Sequence, residues 1–302
     1  FPSGLTIEGS DIGGASITTP GTTHAFTVTT GNTDYITFRD LTFNVPTSAG
    51  SGLVNITGDA VTSYWEFNNC TITGGRDAHT IKLDSSEGQL GWKVTNCRFS
   101  GMAHTSAYCA IAAEGMSGML IDNNAFQGGT GDEFDGFVAL LYTSNNNKAL
   151  NNYCRTGGTS IAVQDDNIAV SLTSATVNNR ITGNKISNAR STAYNDTSTG
   201  PTVFENNHLE ACNATAGGSN GAIEVSNGIK IIRDNTIIDW ATGSAITVNS
   251  GTPSLVVEGN VMTTDEAGAL YGVVATGALV GPRVCNNLID LSRGASTDNG
   301  KG

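Results

Sequence analysis

The chain has 302 residues, 38 of them glycine, with a formal net charge of −12 and a pI near 4.6. This balance excludes a nucleic-acid partner, because phosphates are gripped through a basic stripe, and the lack of any apolar run of about 18 residues excludes a membrane-spanning helix, so no membrane partner is expected. Acidic polysaccharides would be repelled at long range unless a cation or a local basic patch intervened, which leaves neutral glycans as the easier partner.

Residues 1–33 read as an entry segment, with Leu5-Thr6-Ile7-Glu8-Gly9 and Thr27-Val28-Thr29 as short strands. Its expected task is to cap an open end, since unpaired strand edges recruit other chains. From Phe38 onward a six-residue pattern, apolar-x-Asn-Asn-x-apolar, returns again and again. Its copies are Phe38 to Phe43, Phe67 to Ile72, Val94 to Phe99, Ile121 to Phe126, Ala149 to Cys154, Ile181 to Ile186, Phe204 to Leu209, Ile232 to Ile237, Val257 to Met262 and Val284 to Ile289. A spacing that wanders between about 23 and 32 residues is the mark of a solenoid with one coil per repeat.

The fourth position of the motif reads Leu41, Cys70, Cys97, Asn124, Asn152, Asn184, Asn207, Asn235, Asn260 and Asn287. Asn tolerates a left-handed backbone better than other residues that carry a side chain, and its amide can bond a like amide stacked above it. This column is therefore read as the bend between two short strands. The flanking apolar columns would point into a shared interior, alternating with outward neighbours at period two.

A further strand column lies between the bends: Leu53 to Ile56, Thr80 to Leu83, Ala110 to Ala113, Val138 to Leu141, Ile161 to Gln164, Ala222 to Val225, Ala245 to Val248 and Gly272 to Ala275. Coils built from two or three short strands close into a parallel β-helix. The fold class is thus all-β, one β-helix domain over residues 34–290, with ten coils at about 4.8 Å each making a rod of about 48 Å. Residues 291–302 lack apolar periodicity and read as a flexible tail.

With these columns in place, the chain resembles the right-handed parallel β-helix proteins: pectate lyases, polygalacturonases, alginate lyases and epimerases, and phage tailspikes. The resemblance runs from about Tyr35 to Ile289 and implies a right-handed helix with an asparagine ladder, a hallmark of that group. It also implies polysaccharide as the partner and an extracellular, secreted or virion-surface location, with which a Gly-, Asn-, Thr- and Ser-rich composition agrees. Tailspikes of this build are commonly trimers, which leaves a homotrimer open.

Cys70 and Cys97 share a column in successive coils, close enough for a disulfide, while stacked free thiols are the plainer alternative. No CxxC pair or Cys/His cluster points to a metal, and no cofactor is expected. Function should sit in the turns, where the insertions His104 to Cys109, Gly128 to Gly136, Ser187 to Pro201 and Ala211 to Gly221 stand out.

The sharpest chemical stretch is Gln164-Asp165-Asp166-Asn167-Ile168-Ala169-Val170, which resembles the paired-aspartate motif of polygalacturonase-type glycoside hydrolases with Asn167 in place of Cys. Asp132-Glu133-Phe134-Asp135-Gly136, one coil earlier, is loosely similar to the strand that supplies that family's third carboxylate. The resemblance implies Asp135, Asp165 and Asp166 as catalytic acids, one protonated as general acid and the others ionised to activate water. The chain departs from that family in having no Gly-His-Gly element, and Gly228-Ile229-Lys230 keeps only the lysine of its Arg-x-Lys element. A paired Asp at a strand end is also a common turn former.

A lyase would instead need a base beside a cation. Arg76, Asp77, His79, Lys82, Asp84 and Glu114 fall within two coils, with Lys82 outward between inward Ile81 and Leu83, though the same residues make an ordinary solvated face. Lys82, Asp84, Glu114, Tyr142, Gln164 and Glu224 are the candidate substrate-binding side chains. Tyr64, Trp65, Trp92, Tyr142, Tyr194 and Trp240 are candidate sugar platforms, with the three tryptophans read as outward-facing or else as stacks supporting the turns. Two function classes remain: a polysaccharide-recognising rod that cleaves its glycan, or a non-enzymatic structural or adhesive β-helix.

Overall fold

The computed structural model describes residues 3–9, 15–19, 21, 23–48, 50–58, 60–75, 78–101, 109–127, 136–141, 144–155, 168–172, 177–189, 192–212, 221–249, 254–266, 268–276, 279 and 281–291. The molecule is all-β, and no helix occurs among the described residues. It is a right-handed parallel β-helix whose coils each contribute one strand to each of three sheets. The first sheet has 11 strands, from Thr6–Glu8 to Arg283–Cys285, and the second has 11, from Ala15–Thr18 to Leu288–Asp290. The third has 10, from Phe26–Val28 to Gly268–Ala275. Strands Thr6–Glu8, Ala15–Thr18 and Phe26–Val28 of the entry segment join these sheets as their first members.

The repeated motif supplies a strand, a bend and a strand. Thr202–Glu205 and His208–Glu210 flank Asn206-Asn207, and the apolar ends Phe204 and Leu209 are buried. The same positions stack in register from coil to coil, Ile181 on Phe204 on Ile232 and Ile186 on Leu209 on Ile237. A slip of one residue would turn each of these side chains to solvent, so burial itself fixes the register. Aromatic rings stack along the axis inside, Phe38 on Phe67 at 4.8 Å and Phe99 on Phe126 at 4.7 Å between centroids.

The bend differs from the sequence reading in one respect. Left-handed φ belongs to the third position of the motif, as in Asn69 (53°), Asn123 (55°), Asn206 (54°) and Asp234 (55°). The fourth position has its side chain turned inward. Asn124 Nδ2 donates to Asn152 Oδ1 at 3.0 Å, and the pattern repeats from Asn152 to Asn184, Asn207, Asn235, Asn260 and Asn287 at 2.9 to 3.0 Å. Each of these oxygens also accepts the backbone N–H of the residue stacked before it, such as Asn152 N–H to Asn184 Oδ1 at 2.9 Å. Each Nδ2 also reaches a backbone carbonyl one coil earlier, as Asn152 does to Ile121 at 3.0 Å. Two neighbours thus split the work: one supplies the unusual φ, the other pairs the polar groups that the bend would leave buried.

Cys97 and Cys70 continue this column as free thiols, which settles the two readings of the pair in favour of stacked thiols. Cys97 N–H donates to Asn124 Oδ1 at 2.8 Å, Cys70 N–H to Cys97 Sγ at 3.4 Å, and both thiols donate to carbonyls one coil earlier at 3.5 Å. A thiol fills the same slot as the amide with weaker bonds.

Two further expectations are corrected, and a third falls outside the described residues. Trp65, Trp92 and Trp240 are fully buried, which overturns the outward reading and keeps the alternative of a supporting stack, Trp65 on Trp92 at 5.0 Å. Their indoles are large enough to fill the core, and Trp65 and Trp92 satisfy their N–H groups on the carbonyls of Thr33 and Thr62. The insertion read over Ser187 to Pro201 contains the third-sheet strand Tyr194–Asp196, and its Tyr194 is buried against Phe204 at 4.2 Å. The strand read over Ile161 to Gln164 lies outside the described residues, and that coil's third-sheet strand is Ile168–Leu172.

Candidate functional site

Alternation along the third sheet sends one set of side chains into the core and the other outward. In Ile81–Leu90, Ile81 and Leu83 are buried while Lys82 between them is half-exposed. The register sets Lys82 between Asn55 and Ala112, and Asp84 between Thr57 and Glu114. Lys82 and Glu114, both half-exposed, therefore share one outer face within two coils. A small floor follows, because Ala112 pairs with Ala139, and a register shift after Glu114 re-aims the strand. Glu224 is on the same sheet, but between it and the Lys82 strand stand four other strands, a displacement of about 24 Å at 4.8 Å per coil. Its carboxylate accepts from Asn249 Nδ2 at 2.6 Å, and Asn249 Oδ1 accepts from Thr276 at 2.9 Å, a polar string along the axis.

His24, which sequence reasoning passed over, stacks with His79 near Lys82, whose charge acts on it. His24, Gly52, His79 and Cys109 each lie two positions before the core residue that opens the third-sheet pairing, so they stack at its leading edge. His24 lies over Gly52, where a Cβ would come within 2.5 Å of the imidazole, so only glycine admits the ring. His79 Nδ1 accepts the Cys109 N–H at 2.9 Å. Burial holds the His24 imidazole below its ordinary pKa; a bond to the His79 backbone works against this, and the Lys82 charge adds to it. His24 is thus neutral at pH 7 beside an ammonium. Aligning the third-strand column rather than the asparagine motif would have exposed this stack.

Asp135, Gln164, Asp165, Asp166, Tyr142, Arg76 and Asp77 lie outside the described residues. The strands that follow the aspartates, Gly136–Leu141 and Ile168–Leu172, are neighbours, with Gly136 paired to Ile168. Lys230, the remnant of the Arg-x-Lys element, is buried away from this face. Its ammonium stands 2.9 Å from Asp196 Oδ1 and donates to the Ser198 carbonyl at 2.9 Å, so its role is internal pairing.

No protein-family model and no curated relative matches the chain. Among solved structures it is similar to the A-module of the mannuronan C-5 epimerase AlgE6 of Azotobacter vinelandii, at 10% identity over 95% of this chain and 84% of that one, with a TM-score of 0.56. It also matches the surface protein and adhesin PfbA of Streptococcus pneumoniae, at 14% identity over 93% and 83% of the two chains with a TM-score of 0.46. A third match is an alginate lyase from Paenibacillus sp. str. FPU-7, at 12% identity over 87% and 99% with a TM-score of 0.36. The epimerase module shares the fold, and at this identity the likeness extends to the fold alone.

Proposed function

We propose that this protein recognises a polysaccharide along the outer face of its third sheet and cleaves it with Asp135, Asp165 and Asp166. The observation that carries the reading is the register that gathers Lys82 and Glu114 on one face, near the paired strand starts at Gly136 and Ile168. The mannuronan epimerase module has the same architecture, which supports a glycan by fold-level analogy. Such a protein works outside the cell or on a virion surface, and a homotrimer belongs to the same proposal.

A second reading, β-elimination of a uronan, draws on neutral His24 beside Lys82, a base next to a charge that could neutralise a uronate. Reducing-end release and unsaturated-product absorbance from neutral and acidic polysaccharides decide between them. Release lost in Asp165→Asn/Asp166→Asn makes the protein a hydrolase. Unsaturated products lost in Lys82→Ala make it a lyase, and binding without products makes it an adhesin.

A further inference from the structure

We propose that Tyr35 and Tyr64 form a sugar-stacking subsite that takes the flat face of a hexopyranose residue, an inference that rests on the polysaccharide reading above. The two rings stand at the turn from the third sheet to the first. They are nearly parallel, 9° apart with centroids at 4.9 Å, and they are 58% and 43% exposed.

Both tyrosines have left-handed backbone, at φ 59° and 60°. The backbone register of this turn stacks Gly4, Tyr35, Tyr64, Gly91, Gly118, Asn146 and Asn178. Every other member is Gly or Asn, the residues that bear this conformation at little cost. A bulky ring here is an outlier, and burial does not account for it because both rings face solvent. Their neighbours on both sides lack side chains. Tyr64 rests on Gly91, where a Cβ would come within 2.7 Å of the ring. On the other side stands Gly4, where an added Cβ would meet nothing within 4 Å among the described residues, so no side chain at this position covers the outer face of Tyr35.

The surroundings select the ligand. Asp34 and Ser3 flank this position, with Asp34 N–H donating to Ser3 Oγ at 3.1 Å, and the adjoining outward column runs Thr37, Glu66 and Lys93. A ring face bordered by hydroxyl, carboxylate and ammonium groups suits a pyranose, which is apolar across its C–H face and polar at its rim. A protein partner would ask for a wider apolar surface than two rings provide.

The test is affinity electrophoresis of the full chain in native gels cast with β-glucan, galactomannan or alginate, together with melting curves. Tyr35→Asn and Tyr64→Asn install the residue that equivalent coils already use. Each is expected to weaken retardation about tenfold, or about 1.4 kcal/mol, while the melting temperature stays level or rises. Tyr35→Phe keeps the retardation. Retardation unchanged in both Asn variants but lost in Lys82→Ala/Glu114→Ala overturns the subsite and leaves the polysaccharide reading standing. A clear fall in melting temperature makes the rings structural and overturns it too, as does a dimer in sedimentation that Tyr35→Asn abolishes. Absence of retardation on every gel overturns both proposals.

Discussion

Lys230→Met probes the most deeply buried charge pair among the described residues. The substitution keeps the length of the side chain and removes the ammonium, leaving the Asp196 carboxyl at 0% exposure without its counterion. Breaking a buried pair from one side costs about 3–5 kcal/mol, because the remaining charge has lost its counterion in a poorly polarisable interior. Asp196 retains other donors: the Tyr194 hydroxyl at 2.8 Å, the Ser198 N–H at 2.9 Å, the Ser198 hydroxyl at 2.6 Å and the Thr202 hydroxyl. These place the cost at the lower end, about 3 kcal/mol, which at about 2 °C per kcal/mol for a chain of this size lowers the melting temperature by about 6 °C. Asp196→Asn should cost about as much, since it strands the ammonium, held below its ordinary pKa by burial, on two carbonyls and a hydroxyl. The double variant should then cost less than the sum by about 2 kcal/mol. Thermal melts followed by circular dichroism measure all four corners. A fall under about 2 °C for Lys230→Met, or additivity in the double variant, would refute the account of a mutually dependent buried pair.

Asn184→Ala removes an amide from the middle of the column and orphans the Asn152 N–H, one of the two Asn152 amide hydrogens and one lone pair of Asn207, so a loss of about 2–4 kcal/mol is expected in the same melts. Glu205 is 2% exposed between Arg180 and Arg233; burial alone would raise its pKa, but the two guanidiniums outweigh it and hold it low. A depressed carboxylate stabilises above its ordinary value of 4.5 and loses that contribution as pH falls through the folded value, so the gap in melting temperature between wild type and Glu205→Gln should close on acidification. Cys212 is pushed up to about 12 by burial, and Cys154 higher still, whereas Cys285 is half-exposed. Timed alkylation and mass spectrometry should label Cys285 in the native protein and the other two only after unfolding.

The architecture was legible because each motif copy states its coil in six residues. Phe204 and Leu209 announce the interior, and Asn206-Asn207 the bend, with no help from distant parts of the chain. The division of labour inside the bend was not legible, since both asparagines are acceptable in either role and only the backbone shows which one turns. The inward tryptophans were legible, since Trp65 and Trp92 stand two positions before inward Phe67 and Val94 and period two points all four the same way. Of the site, Lys82, Asp84 and Glu114 could be grouped from period and coil length. His24 was missed because its coil carries no copy of the asparagine motif, although the third-strand column aligns it with Gly52 and His79.

The distribution of charge gives the third-sheet face a discriminating test. Among its described strands Lys82 is the one cationic side chain, while Arg180, Arg233 and Arg283 lie on the first sheet and are paired with Glu205 or Glu258. In a chain of net charge −12, an acidic glycan on the third face would have one local counter-charge to meet its carboxylates. Lys82→Gln should therefore weaken alginate binding about fivefold or more at low salt and by less near physiological ionic strength, where screening shortens the reach of that charge to about 8 Å. Binding of an uncharged glucan should hardly change. Equal losses on both glycans would mean that Lys82 acts through shape or hydrogen bonding, and an unchanged affinity for alginate would move acidic glycans off this face altogether.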